Sequence, residues 1–229
     1  MEKNFLLKKI EHKLIISSQA GKFEPLYNEI AMNCLIETIV SLGHANCLRL
    51  AGARDIKNTK EKYNEAVTII GITKPDIIPE NYKELVYITP DINSAKEIIE
   101  AGADIIAFDS TTRNKNAKGI VDFIHQNNKL AMGDIGSFED AKYAYEIGVD
   151  IISTTLSGYT KETEHLPDTP DFDLLEKCVQ TFDIPIIMEG KIWNEFEVKK
   201  AFELGAHSVV IGSAITRPHK IIERFNRGL

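Results

Sequence analysis

The chain has 229 residues, 43% hydrophobic and 27% charged, with a net charge of −7. No Pro/Gly/Ser-rich linker cuts it and no run approaches the roughly 20 apolar residues of a membrane span. The acidic balance leaves no basic stripe for nucleic acid. A soluble protein acting on small molecules is expected, with no nucleic-acid and no membrane partner.

The N-terminal stretch MEKNFLLKKIEHK has too short an apolar segment for a signal peptide. Cys34, Cys47 and Cys178 lack C-x-x-C spacing, which points to buried thiols in a reducing compartment. The expected location is the cytoplasm.

Eight short β-branched runs follow in order: Leu14 to Ser18, Ala45 to Arg49, Val67 to Ile72, Asp104 to Phe108, Leu130 to Asp134, Asp150 to Thr154, Pro185 to Met188 and Ser208 to Ile211. Most are apolar almost throughout, as strands buried on both faces are. Helical patterns lie between them, among them Pro25 to Leu42, Ser94 to Ala101, Phe138 to Gly148 and Asn194 to Gly205. Gly102, Gly148 and Gly205 stand where helices must stop and turn into the next strand. A ninth run, Leu85 to Thr89, is expected as an accessory strand between the third strand and its helix. Repeated β-then-α units predict a (β/α)8 TIM barrel forming a single domain over 1–229. No Gly-x-Gly-x-x-Gly follows the first strand, which removes the main support for a dinucleotide fold.

The last two strands run into small turns, Glu189-Gly190-Lys191-Ile192 and Gly212-Ser213-Ala214. In a barrel these positions form the usual phosphate cradle, so Gly190, Lys191, Gly212 and Ser213 are the expected phosphate-binding residues.

Function gathers at the C-terminal strand ends, which carry Gln19, Arg49, Lys74, Asp109, Asp134, Thr155, Glu189 and Ser213. Lys74 precedes Pro75, which pushes it out of the helical region and keeps it extended at the rim. Partial desolvation there favours a neutral amine able to move a carbon-bound proton or form a Schiff base; the alternative is a solvated lysine. Glu189 beside a phosphate turn needs a job or a cation, and Arg49 and Arg217 are the candidate cations or ordinary rim ion pairs. Asp134 and Asp109 are either chemical or helix caps. The six histidines show no paired ligand spacing, so no metal is expected. Trp193 reads as packing.

These residues sit in segments that resemble the N-acetylmannosamine-6-phosphate 2-epimerase family. The resemblance is carried by Ser18-Gln19-Ala20, Leu48-Arg49-Leu50-Ala51-Gly52, Ile70-Gly71-Ile72-Thr73-Lys74 and Ile88-Thr89-Pro90. It continues through Ala101 to Asp109, Thr154-Thr155-Leu156-Ser157-Gly158-Tyr159-Thr160 and Gly212-Ser213-Ala214-Ile215-Thr216-Arg217-Pro218. The chain departs from the family at Gly133, Gly136 and Ser137, at Lys191 and Pro75, where the family has Arg, and after Arg113, where the usual Arg-Pro is missing.

The resemblance implies interconversion of N-acetylmannosamine 6-phosphate and N-acetylglucosamine 6-phosphate, in sialic acid catabolism, without metal or other cofactor. Lys74 would transfer the C2 proton with Glu189 assisting, while Gln19, Arg49, Asp134, Thr155 and Arg217 would bind substrate. The implied partner is a small-molecule amino-sugar phosphate, with a homodimer admitted. Two other readings stay open: a Schiff-base aldolase using Lys74 on a phosphorylated keto acid, and a non-catalytic sugar-phosphate sensor.

Overall fold

The computed structural model describes residues 2–229. A helix, α1 (Glu2–Ile10), precedes β1 (Leu14–Ser18). The alternation then runs α2 (Glu29–Glu37), β2 (Cys47–Ala51), α3 (Ala53–Tyr63), β3 (Thr68–Ile72), α4 (Ile92–Glu100), β4 (Ile105–Asp109), α5 (Ala117–Gln126) and β5 (Leu130–Asp134). It continues with α6 (Phe138–Glu146), β6 (Ile151–Ser153), α7 (Phe172–Thr181), β7 (Ile186–Glu189), α8 (Glu195–Glu203), β8 (Ser208–Ile211), α9 (Ser213–Thr216) and α10 (Pro218–Asn226). The strands form a closed parallel barrel in sequence order, with β8 pairing back onto β1 through Ile15↔Val210.

Local chemistry sets the helix ends. Asp91, Ser137, Asp171 and Asn194 accept from backbone N–H groups of the first turns of α4, α6, α7 and α8. Gly102, Gly148 and Gly205 take φ of 103°, 88° and 92° after α4, α6 and α8, the left-handed turn expected of them.

The accessory strand expected over Leu85 to Thr89 does not form. β3 and β4 already pair directly lower down through Ile70↔Ile105, so the segment can wedge in only where their tops diverge. There the Asp109 N–H donates to Ile88 O at 2.9 Å and the Thr89 N–H to Thr73 O at 3.1 Å. Thr89, at φ 43°, then bends the chain out of any extended path. Arg49, expected at the end of its strand, lies inside β2, two residues before its end.

Alternate residues of each strand face inward and outward. The outward set, including Ile16, Leu48, Ile106, Phe108, Ile152 and Met188, packs under the helices. The inward set, including Ile15, Cys47, Ile70, Ile105, Met132, Ile151, Ile187 and Val210, fills the barrel. Leu6, Leu7 and Ile10 of α1 join that inner cluster and close its N-terminal end. The plug is tied down where Ser208 Oγ donates to Ile10 O at 2.6 Å and the His12 N–H donates to His207 O at 2.8 Å.

Candidate active site

Following the inward parity two residues up each strand leads to the polar positions. From Ile15 the inward series runs to Ser17 and Gln19, from Cys47 to Arg49, and from Ile72 to Lys74. Leu130 and Met132 lead to Asp134, Ile151 to Ser153 and Thr155, Ile187 to Glu189, and Ile105 and Ala107 to Asp109. The same alternation that builds the core therefore converges these side chains on the C-terminal mouth.

Arg49 is the hub. Its side chain is 1% exposed and Asp134 is fully buried, so the charges must be compensated locally. The guanidinium forks onto Asp134, with Nη1 to Oδ1 at 3.1 Å and Nη2 to Oδ2 at 2.6 Å, a bidentate pair. Nη1 also lies 3.0 Å from Glu189 Oε2. Burial opposes the Arg49 charge, but the two carboxylates more than offset it and hold the guanidinium protonated.

Thr155 Oγ1 lies 2.8 Å from Asp134 Oδ1 and 2.9 Å from Glu189 Oε2. A hydroxyl has one proton and can donate to only one carboxylate, so both contacts are hydrogen bonds only when a carboxyl carries a proton. Glu189 is the group suited to that state: burial raises its pKa, with Arg49 opposing and Asp134 reinforcing. Its backbone is clamped by Thr154, whose Oγ1 accepts from the Glu189 N–H at 3.0 Å and donates to the Glu189 carbonyl at 2.9 Å.

Lys74 stands just beyond β3, part-buried, and donates to Gln19 Oε1 at 2.8 Å. The Gln19 amide is held by its own bond to Ser17 Oγ at 2.7 Å. Burial, then the Arg49 charge, brings the Lys74 ammonium down to about 8, while Glu189 and Asp134 resist. A lysine in that range exchanges its proton readily near neutral pH. β3 and β7 are four strands apart in the ring of eight, so Lys74 and Glu189 approach the mouth from opposite walls.

The expected phosphate turns lie one strand apart. Gly190 at φ 114° and Lys191 at φ 60° twist the chain sharply after β7, and Ser213 opens the four-residue α9 after β8. The Lys191 head leaves this turn: its Nζ donates to Pro167 O at 2.8 Å and sits 5.5 Å from the Tyr159 ring. Arg217 follows α9, donating to Gln19 O at 3.2 Å and pairing with Glu24 at 3.3 Å. Asp109 does not cap α5, which begins eight residues later at Ala117; its Oδ1 instead accepts from Thr111 N–H and Oγ1 at 2.9 and 2.7 Å. Ser17, Ser153 and Thr154 were not singled out from the sequence, although the inward parity through Ile15 and Ile151 marks the first two.

Among the described residues no three His, Cys, Asp or Glu side chains are grouped to hold a metal ion.

Residues 34–229 match the model of the family described as "Putative N-acetylmannosamine-6-phosphate epimerase". The chain belongs to this family. A Clostridioides difficile (strain 630) relative named "Putative N-acetylmannosamine-6-phosphate 2-epimerase" is 39% identical, over 98% of this chain and 99% of its own. A Clostridium perfringens (strain 13) relative of the same name is 40% identical over 96% and 98%. The solved structure of the N-acetylmannosamine-6-phosphate 2-epimerase from Clostridium perfringens superposes with a TM-score of 0.88 at 38% identity, covering 98% of this chain and 96% of that one. Family membership and the closed barrel agree with the expectations drawn from the motifs.

Proposed function

We propose that the protein interconverts N-acetylmannosamine 6-phosphate and N-acetylglucosamine 6-phosphate, working in the breakdown of sialic acid. The observation that carries this reading is the opposed pair, Lys74 with its lowered pKa on one wall and Glu189 with its raised pKa on the other. Full-length similarity to proteins of that name supports the substrate class.

The chemistry follows from the pair. In the open-chain sugar the C2 hydrogen is acidified by the neighbouring carbonyl. One member of the pair removes it, the C2–H electrons move into the carbonyl, and an enolate forms. The other member delivers a proton to C2 from the opposite face, which inverts the centre. The pair needs only one transferable proton: neutral Lys74 with protonated Glu189 runs one direction, and the ammonium with the carboxylate runs the reverse. Arg49 is held protonated to balance charge developing on the enolate oxygen, typically a large electrostatic contribution. Gln19 and Thr155 orient the two acid–base groups, and Asp134 fixes Arg49. The turns at Gly190, Lys191, Gly212 and Ser213 with Arg217 hold the phosphate, giving remote binding energy that fixes C2 between the walls. No step requires a metal or other cofactor.

The whole of 1–229 serves as one domain in this reading. The cytoplasm is the proposed location, supported by three free thiols and by the absence, among the described residues, of a helix long and apolar enough to cross a membrane. A homodimer is supported by apolar surface on the last helices, where Phe196, Ile222 and Phe225 are 74%, 60% and 78% exposed.

Borohydride trapping tests the assignment against a Schiff-base aldolase. With N-acetylmannosamine 6-phosphate the epimer should form and Lys74 should remain unmodified. A reduced covalent adduct on Lys74 would overturn the proton-transfer role, and no turnover at all would favour a sensor.

A further inference from the structure

A single stretch of chain, the loop after β1, touches both Arg217 and Lys74. In the ring β1 pairs with β8 on one side and with β2 on the other, so its loop stands between the turn after β8 and the top of β3. On the β8 side Arg217 donates from Nη2 to Gln19 O at 3.2 Å, and the same nitrogen lies 3.3 Å from Glu24 Oε1. Glu24 Oε1 also accepts from the Gly21 N–H at 3.1 Å, and the Glu24 N–H donates back to Gly21 O at 2.9 Å, which closes the loop on itself. On the β3 side Gln19 Oε1 accepts from Lys74 Nζ at 2.8 Å. Two further contacts reach Asp76: the Lys22 N–H donates to its carbonyl at 3.3 Å and Tyr27 Oη to its Oδ1 at 2.8 Å. Pro75 stands between Lys74 and Asp76 with its φ fixed by the ring, so a hold on Asp76 passes to Lys74 with little slack.

Glu24 is the unexpected member of this set. It places a carboxylate against the arginine assigned to a phosphate dianion, and two anions that share one cation repel each other. Its side chain is 25% exposed, yet Oε2 is buried without a hydrogen-bond partner. A buried carboxylate oxygen without a donor costs free energy, a cost that a residue placed only for stability avoids. The contacts to Gln19 and Glu24 both fall on Nη2, which leaves the Nε and Nη1 donors of Arg217 for a ligand. Arg217 is therefore a joint, with the β1 loop on one nitrogen and room for an anion on the others.

We propose that Glu24 is a positioning residue that couples the phosphate grip to Lys74. It keeps the β1 loop fastened to Arg217, so that a phosphate which fixes Arg217 also fixes Gln19 and Asp76, and through them sets Lys74 against C2. Part of the remote binding energy thereby goes into placing Lys74. The assignment rests on the proposed function, which gives Arg217 to the phosphate and Lys74 to proton transfer.

The test reads phosphate affinity and turnover separately, because the coupling moves them in opposite directions. In Glu24→Ala the competing anion is gone, so inorganic phosphate should bind about threefold more tightly by calorimetric titration. In the same variant kcat for N-acetylmannosamine 6-phosphate should fall about tenfold, because Lys74 is no longer held in place. A residue that only supports the loop would lose both. Phosphate binding that is unchanged or weaker, or a kcat that is unchanged, would overturn the proposal. A second measurement uses the unaltered protein and so does not depend on the variant folding. With N-acetylmannosamine, which lacks the phosphate, exchange of the C2 hydrogen in deuterated water should speed up when inorganic phosphate is added to fill the grip. No acceleration would overturn the coupling. Failure of the unaltered protein to epimerise N-acetylmannosamine 6-phosphate would instead overturn the proposed function, and the coupling with it.

Discussion

The two ends of the barrel use the same strands for opposite purposes. At the N-terminal end the inward positions are Ile15, Cys47, Ile70, Ile105, Leu130, Ile151 and Ile187, sealed by Leu6, Leu7 and Ile10 of α1. Two to four residues further along, the inward positions of those strands carry Arg49, Lys74, Asp109, Asp134, Thr155 and Glu189. The lower end gains stability from burial, roughly 1.5–3 kcal/mol for each large apolar side chain fully removed from water. The upper end buries charges whose desolvation the protein must offset, and no packing argument requires them. Charges placed where apolar residues would be more stable mark the end to which the proposed function assigns the chemistry.

Removing the proposed base gives the largest expected effect. Lys74→Ala should lower kcat by about 10²–10⁴-fold, the scale of general acid–base catalysis, while leaving inorganic phosphate binding intact. Steady-state kinetics beside a phosphate titration would show this, and equal losses in both would mean that Lys74 grips rather than transfers.

A matched pair of truncations sharpens the contrast between the ends. Asp134→Ala removes the bidentate partner of the buried Arg49, leaving Glu189 as its one remaining carboxylate, and should cost about 3 kcal/mol of stability together with most of the activity. Ile10→Ala opens a cavity in the plug and should cost about 2–5 kcal/mol while kcat at a temperature below unfolding stays the same. Denaturant unfolding and kcat, measured on both variants, decide it. A fall in kcat for Ile10→Ala would show that the two ends are not separable.

The pH profile is the subtlest test. Because the pair works with one shared proton, kcat/KM should be bell-shaped and alike in both reaction directions. It falls on the acid side as the pair takes up a second proton. It falls again on the alkaline side, from about 8, where burial has brought Lys74, as the pair loses its last shared proton. A rate that keeps climbing through 8 to a plateau would mean that neutral Lys74 acts alone.

The barrel was legible because buried parallel strands read as apolar runs and Gly102, Gly148 and Gly205 punctuate the helices. The placement of Lys74 and Glu189 at the mouth was legible from strand ends and from family motifs. The bidentate fork of Arg49 onto Asp134 was not, because 85 residues separate them and only the closed ring brings them together. The Leu85–Thr89 error has a similar origin: β-branched composition fits an extended segment, but a closed ring of eight had no free edge to pair it. The direction of the Lys191 head was not legible either: it lies on a turn with φ 60°, and its Nζ donates to Pro167 O.

In the proposed reaction C2 gives up its proton to one group and takes another from the group opposite. Conversion of N-acetylmannosamine 6-phosphate in deuterated water, followed by proton NMR from the first turnovers, tests it most directly. The N-acetylglucosamine 6-phosphate product should carry deuterium at C2 while unconverted substrate still carries protium. Product that retains its original C2 proton would contradict it.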